Sequence, residues 1–89
     1  MLTLVDNVAV RARAEAVRFE GNTLYVAVSG GREIRVPLAQ VAWLAWLANA
    51  SPAQRARWSI EPGGLAIQWD DLDDGIEVDH LFGLPYLMH

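Results

Sequence analysis

The clearest candidates for chemistry are the acids of the run Asp70-Asp71-Leu72-Asp73-Asp74-Gly75. An EF-hand calcium loop needs oxygen ligands at alternate positions and a glycine at the sixth. If Gly75 is the sixth residue, Leu72 falls at a ligand position and Leu81 replaces the bidentate glutamate. Because leucine offers no ligand atom, the run instead predicts a solvated acidic loop with Leu72 and Ile76 turned inward, and no metal site.

Acid–base and nucleophilic catalysis are also poorly supported by the residue pattern. Paired carboxylates can cleave a glycosidic bond, but they need a cleft that holds a sugar. In a chain of 89 residues, such a cleft would compete with the core for volume. A serine nucleophile needs a histidine beside it, and the histidines here are His80 and His89. We therefore expect a protein that is not an enzyme, with no catalytic residues and no cofactor.

Arg57 stands directly before Trp58, and Arg55 stands two residues earlier. Guanidinium groups beside an indole are typical of contact with an acidic ligand or a nucleic acid, through charge and stacking. The alternative is that Arg55 pairs with the acidic loop while Arg57 faces water. The formal net charge of −4 disfavours a non-specific nucleic-acid binder, which needs a basic face. A regulatory domain that binds a nucleic acid or a small ligand through these three residues is our second hypothesis.

Capping residues predict a short helix ahead of Trp58. Ser51 and Gln54 have the spacing of a capping box, in which each side chain binds the backbone N–H of the other residue. Pro52 follows at the first helical position, where its missing N–H costs nothing. We expect this helix to end at about Arg57.

Alternating apolar residues predict strands on both sides of the helical region. Downstream, period-two alternation predicts strands over Trp58–Ile60 and Leu65–Trp69, joined by a turn at Glu61–Gly64. Upstream, the turn signals Gly21-Asn22 and Gly30-Gly31 separate three strands. The first strand ends at Glu20, the second covers Leu24–Val28 and the third covers Glu33–Val36. Three strands joined by two short turns predict an antiparallel meander.

The segment Leu38–Ala48 is predicted to be the main helix, with Pro37 ending the strand before it and Asn49 as a left-handed cap. Gln40 is its only polar side chain, so the helix needs cover on more than one side. A chain of this length has little left to cover it. We predict a homodimer, or docking of a small protein partner, with three interface residues: Trp43, Trp46 and Leu47. The alternative is that both indoles lie in the core, under the C-terminal tail.

Composition limits the class and location of the protein. The sequence has no cysteine, so it forms no disulfide and suits a reducing compartment. No apolar run reaches the roughly 18–20 residues that cross a bilayer, and the N-terminal residues do not form a signal-peptide pattern. We expect one cytoplasmic domain over residues 1–89 that contacts no membrane. Its apolar tail, Leu81–Leu87, should pack back on the fold, with a helical turn near Asp79–Phe82.

Three motifs occur in a recognisable order: Gly31–Leu38, Ala50–Trp58 and Trp69–Asp74. Together they resemble the small bacterial domain-of-unknown-function family 2442, in which a Gly-Arg strand ends in Val-Pro-Leu, followed by Ala-Thr-Pro with Gln-Arg and then Trp-x-x-Leu-Asp. The resemblance spans roughly residues 16–84. The chain departs from the family at Trp43–Trp46, where members tend to carry an aromatic-Pro-basic run.

This resemblance implies an α+β fold: a three-stranded antiparallel meander, one main helix plus a short helix, then two further strands and a packed C-terminal tail. It also implies an intracellular bacterial protein with no assigned enzyme activity and no catalytic residues to carry over. Members of the family often neighbour another small protein, in a pairing that is similar to toxin and antitoxin. We therefore expect an interaction module, the antitoxin-like half of such a pair.

Overall fold

The structure is a computed structural model, and it describes residues 12–84 of the chain. Residues 1–11 lie outside the described residues, so the first predicted strand, which ends at Glu20, is described only from residue 12 onward. The α+β class is confirmed, because two three-stranded antiparallel sheets are joined by short helices and 3-10 turns.

The first sheet is the predicted meander, with β1 (Ala14–Glu20), β2 (Thr23–Val28) and β3 (Arg32–Pro37) side by side in that order. Gly21 has a φ of 57° in the first turn, a left-handed conformation that glycine adopts without steric cost. Every second residue of β2 is buried, as the period-two pattern predicts. The meander therefore presents one apolar face to the core and one polar face to solvent.

Pairing is irregular at the start of β1. Ala14 pairs with Val28 while Ala16 pairs with Ala27, so β1 carries one residue more than β2 in this stretch. An inserted residue of this kind is a β-bulge. It lets Ala14 and Val17 both face the core, although three positions separate them.

The segment predicted as the main helix is instead broken into short pieces. Two 3-10 turns, Leu38–Gln40 and Ala42–Leu44, precede a single helical turn, α1 (Ala45–Ala48). Val41 lies between the 3-10 turns with extended backbone angles. The prediction of one continuous helix was wrong, and so was the left-handed cap, because Asn49 has right-handed helical angles.

The break changes which side chains face the core. Residues three apart eclipse each other in 3-10 geometry, whereas a straight α-helix rotates them progressively apart. The buried residues of this segment are spaced by three: Leu38, Val41, Leu44 and Leu47. An ideal α-helix would place Leu38 and Leu47 on opposite sides, so a continuous helix over this segment would be apolar on all sides.

The predicted capping box is confirmed at the next helix, α2 (Pro52–Arg55). The backbone N–H of Gln54 donates to Ser51 Oγ at 3.1 Å, and the backbone N–H of Ser51 donates to Gln54 Oε1 at 2.9 Å. The helix is one turn long and ends at Arg55, two residues before the predicted end.

The second sheet contains three strands rather than the two predicted. β4 (Trp58–Ile60) and β5 (Ala66–Trp69) match the prediction closely, and β6 (Asp74–Glu77) adds to β5. β6 escaped prediction because it begins with aspartate and glycine, which are depleted in strands. Gly75 is required there, since a Cβ at that position would lie 2.6 Å from the Ile67 carbonyl oxygen.

Both sheets and the helical turns share one apolar core. After β6, α3 (Val78–Leu81) buries Val78 and Leu81, which confirms the helical turn predicted near Asp79–Phe82. Phe82 and Leu84 pack half-buried against the core, while Tyr86 and Leu87 lie outside the described residues. Across residues 12–84, none of the helices combines the length and the apolar character that a membrane crossing requires.

One backbone contact joins the two sheets at their adjacent edges. The N–H of Ala14 donates to the carbonyl of Gly64 at 2.7 Å. Gly64 has a φ of 74°, and a Cβ there would lie 2.8 Å from the Cβ of Arg13. Only glycine permits both this conformation and this approach, so the predicted Glu61–Gly64 turn also brings β4 next to β1.

Candidate functional site

Trp43 is the most exposed large apolar side chain of residues 12–84, with 45% of its surface accessible. Its ring meets the His80 ring edge-on, with centroids 6.3 Å apart. His80 Nε2 lies 3.6 Å from Glu77 Oε1. A shallow groove of about 450 Å³ follows the indole and is lined by Trp43, Asp79, His80, Gly83 and Leu84. We call these five residues the Trp43 surface.

The other two predicted interface residues belong to the core of the chain itself. Trp46 is half-buried and packs edge-on against Trp69, with ring centroids 5.7 Å apart. Leu47 has no accessible surface, so its assignment to an interface was wrong. Of the two indoles predicted at an interface, only Trp43 is therefore exposed.

Arg55 is bound almost entirely by the protein's own carbonyl oxygens. Its Nε donates to the Leu47 carbonyl at 3.1 Å and its Nη1 to the Gly21 carbonyl at 3.0 Å. Its Nη2 donates both to the Ala48 carbonyl at 2.8 Å and to Asn22 Oδ1 at 2.5 Å. The guanidinium thus ties the C-terminal end of α1 to the turn between β1 and β2, and it satisfies helix-end carbonyls that have no partner within the helix.

The backbone of Arg55 contributes a further contact. Its carbonyl accepts the indole N–H of the fully buried Trp69 at 3.0 Å, and its guanidinium carbon lies 5.4 Å from the Phe19 ring centroid. Because these contacts occupy most of its hydrogen-bond donors, Arg55 holds elements of the fold together rather than binding a ligand. Its predicted role in partner contact is not supported by this geometry.

Arg57 makes the ion pair that the sequence suggested for Arg55. Its Nε lies 3.2 Å from Asp71 Oδ2, and 72% of the arginine side chain is accessible. Exposed pairs of this kind contribute little to stability. Arg57 therefore remains a surface charge next to the acidic loop.

Trp58 lines a cleft of about 500 Å³ between β1, β4 and α2, whose lining residues are Val17, Arg18, Phe19, Gly21, Pro52, Arg55, Ala56 and Trp58. The volume lies within the range of small-molecule sites. Both of its cations are already engaged, because Arg55 binds carbonyls and Arg18 binds the carboxylates of Glu20 and Glu33. Hydrogen bonding to Glu33 raises the pKa of Arg18 above its ordinary value.

The acids of the run are exposed to solvent as predicted, but the run is only partly a loop, because Asp74 and Gly75 begin β6. Asp70–Leu72 forms a 3-10 turn, and Leu72 and Ile76 pack against or within the core. Asp74 Oδ1 accepts the backbone N–H of Gly75 at 2.8 Å. In the described part of the chain, histidines and acids do not gather in groups of three that would hold a metal ion.

Comparison with known sequences supports the resemblance found in the three motifs. The family described as "Protein of unknown function (DUF2442)" matches residues 14–84. The chain belongs to this family. No curated protein matches the chain significantly.

One solved structure similar to this DUF2442 chain is the crystal structure of a protein of unknown function from Rhodospirillum rubrum. The match has a TM-score of 0.70 at 20% identity, and it covers 89% of this chain and 94% of the other. At this identity the similarity establishes the fold alone. The two-sheet architecture is thus one that a second protein of unknown function adopts.

Sequence reasoning missed two polar features of this DUF2442 domain. Two of the groups that Arg55 binds, the Leu47 and Ala48 carbonyls, lie eight and seven positions away. The others, at Gly21 and Asn22, lie more than thirty positions away, and no local pattern in the sequence indicates these contacts. The contact between Arg18 and Glu33 was open to prediction from the meander, because charges on the same face of neighbouring strands approach each other.

Proposed function

We propose that this chain is a non-enzymatic protein-interaction module, the antitoxin-like member of a small two-protein pair. It docks its partner at the Trp43 surface. The observation that carries this proposal is the exposure of Trp43, a residue type enriched in interface hot spots because it buries a large apolar area and keeps one donor.

Size and charge define the partner chemistry. The groove beside Trp43 has a volume of about 450 Å³, which suits one or two apolar side chains of another protein. The Glu77 carboxylate lies near His80 at its rim, and the whole chain carries a net charge of −4. Electrostatic complementarity favours a partner with an apolar anchor inside a basic rim.

Coexpression with the small protein encoded beside its gene tests this proposal. We expect the two proteins to elute together in size-exclusion chromatography, and Trp43→Glu to abolish the complex because it places a charge at the apolar anchor. Leu65→Glu is the matched control, since Leu65 is the other exposed large apolar residue of residues 12–84, at 36%, and lies outside the Trp43 surface. Failure of the wild-type pair to associate, or a complex that survives Trp43→Glu, would contradict the proposal.

The regulatory alternative retains less of its predicted site. Arg55 is committed to carbonyl groups, so a nucleic acid or small ligand would be left with Arg57 and Trp58. The specific feature in its favour is the cleft beside Trp58. Its cations are neutralised or already bonded, so we rank it second.

A further inference from the structure

Within residues 12–84, the outer edge of β3 has no strand beside it. β3 lies at the end of the order β1-β2-β3. Within residues 12–84, the backbone groups of residues 32–36 hydrogen-bond to no element other than β2. Unpaired edges of this kind offer a row of donors and acceptors to another strand.

The ladder between β2 and β3 identifies the groups that point outward. Leu38 donates its N–H to the Asn22 carbonyl at 3.1 Å, in line with the continuous register of the two strands. Hydrogen-bonded pairs alternate along an antiparallel ladder, so Glu33 and Arg35 direct their N–H and C=O groups away from β2. Pro37 has the same outward parity, where its missing N–H removes no bond from the ladder.

Charge on this edge is self-complementary. Glu33 and Arg35 flank Ile34, and both are exposed on the face turned away from the core. Arg35 makes no ion pair within residues 12–84, whereas Glu33 is held by Arg18 through contacts of 3.2 and 3.3 Å. The edge thus presents one fixed anion and one available cation, two residues apart.

Few registers allow this edge to pair with itself in antiparallel fashion. A register centred on Glu33 places that carboxylate opposite its own copy, and one centred on Arg35 does the same for the guanidinium. Like charges directly opposite destabilise a pair. A shift by one residue places core-facing side chains opposite outward-facing ones. Centring on Ile34 brings each Glu33 opposite an Arg35.

We propose that a second copy of this chain pairs antiparallel with β3, with the two-fold axis at Ile34. The two first sheets then form one continuous antiparallel sheet. Glu33 and Arg35 of each copy exchange backbone hydrogen bonds with Arg35 and Glu33 of the other, and their side chains form the facing ion pairs. This inference goes beyond the proposed function, because docking at the Trp43 surface does not require it.

The intramolecular contacts of Glu33 prepare the edge for this pairing. Arg18 grips both carboxylate oxygens of Glu33 and stacks its guanidinium carbon 3.9 Å from the Tyr25 ring centroid. A side chain fixed in this way loses little further freedom on association. Arg35 of the second copy then extends a row of alternating positive and negative side chains that runs from Arg18 through Glu33. Because the paired edge is short, we expect a transient dimer that populates at tens of micromolar.

Sedimentation velocity of charge-reversed variants at tens of micromolar tests the register. We expect the wild type to be dimeric. Glu33→Arg and Arg35→Glu each place like charges opposite one another in both facing pairs, and each should raise the dimer dissociation constant by at least about tenfold. An equimolar mixture of the two variants should recover the dimer, because every facing pair in the mixed species is again of opposite sign.

Three controls make the result decisive. Arg57→Glu makes the same charge change as Arg35→Glu on an exposed side chain outside β3, and it should leave the dimer intact. Trp43→Glu should also leave it intact. Circular dichroism checks the fold of each variant, and Arg35→Glu by itself carries the test if Glu33→Arg fails to fold. A monomeric wild type, a dimer unaffected by Arg35→Glu, a mixture that stays monomeric or a dimer lost in Trp43→Glu would overturn the proposal.

Discussion

Trp69 and Trp43 occupy opposite environments: Trp69 stands between Gln68 and the acidic run, yet it is buried, whereas Trp43 stands in an apolar segment, yet it is exposed. Trp69 is fully buried, with Phe19 and Trp46 packed edge-on against its ring and the Arg55 carbonyl accepting its N–H. Within residues 12–84, Trp43 has one ring neighbour, His80, and it is 45% exposed. Long-range partners, rather than the flanking residues, therefore decide whether an indole stabilises this fold or remains available to another protein.

Removing the Trp69 ring should have the largest effect on the stability of the fold. We expect Trp69→Ala to lower the free energy of unfolding by about 3–5 kcal/mol, because it leaves a large cavity between Phe19 and Trp46. Chemical denaturation monitored by circular dichroism measures the change. Trp69→Phe should cost less because phenylalanine fills most of the volume, although it still loses the hydrogen bond to the Arg55 carbonyl. A Trp69→Ala protein as stable as the wild type would show that the core closes without this ring.

Arg55 and Arg57 offer a second comparison between a bonded and an exposed side chain, because they are of the same type and stand two positions apart. Arg55→Ala should cost about 2–4 kcal/mol, because the two part-buried carbonyls of Leu47 and Ala48 lose a charged donor. Arg57→Ala removes one exposed ion pair and should cost less than about 1 kcal/mol. Urea unfolding of both variants in the same buffer gives the difference. Equal losses would mean that the carbonyl contacts of Arg55 contribute no more than a surface charge.

Trp43→Ala should have the smallest effect on stability. Its exposed ring shares one aromatic contact with His80, so we expect a loss of less than about 1 kcal/mol. Thermal unfolding followed by circular dichroism measures it. A loss comparable to that of Trp69→Ala would place Trp43 in the core and remove the observation on which the proposed function rests.

Much of the fold was predictable because its signals are local. The capping box depends on Ser51 and Gln54, three residues apart, and the first meander depends on short alternating runs between glycine turns. The candidate site was less predictable. Leu47 was assigned to an interface because a continuous helix was assumed, and the break at Val41 turned it into the core. Arg55 was assigned to a ligand because its contacts with the Leu47, Ala48 and Gly21 carbonyls depend on how separate elements of the fold pack together.

The sequence by itself determined the class of the fold, the strands with clear alternation, the start of α2 and the inward turn of Leu72 and Ile76. Each of these follows from backbone preferences and apolar spacing over a few residues. Tertiary structure decided the broken geometry of residues 38–48, the third strand of the second sheet and the fates of the tryptophans and arginines. Those outcomes depend on which distant groups meet, and such pairings minimise the free energy of the whole core rather than that of any one segment.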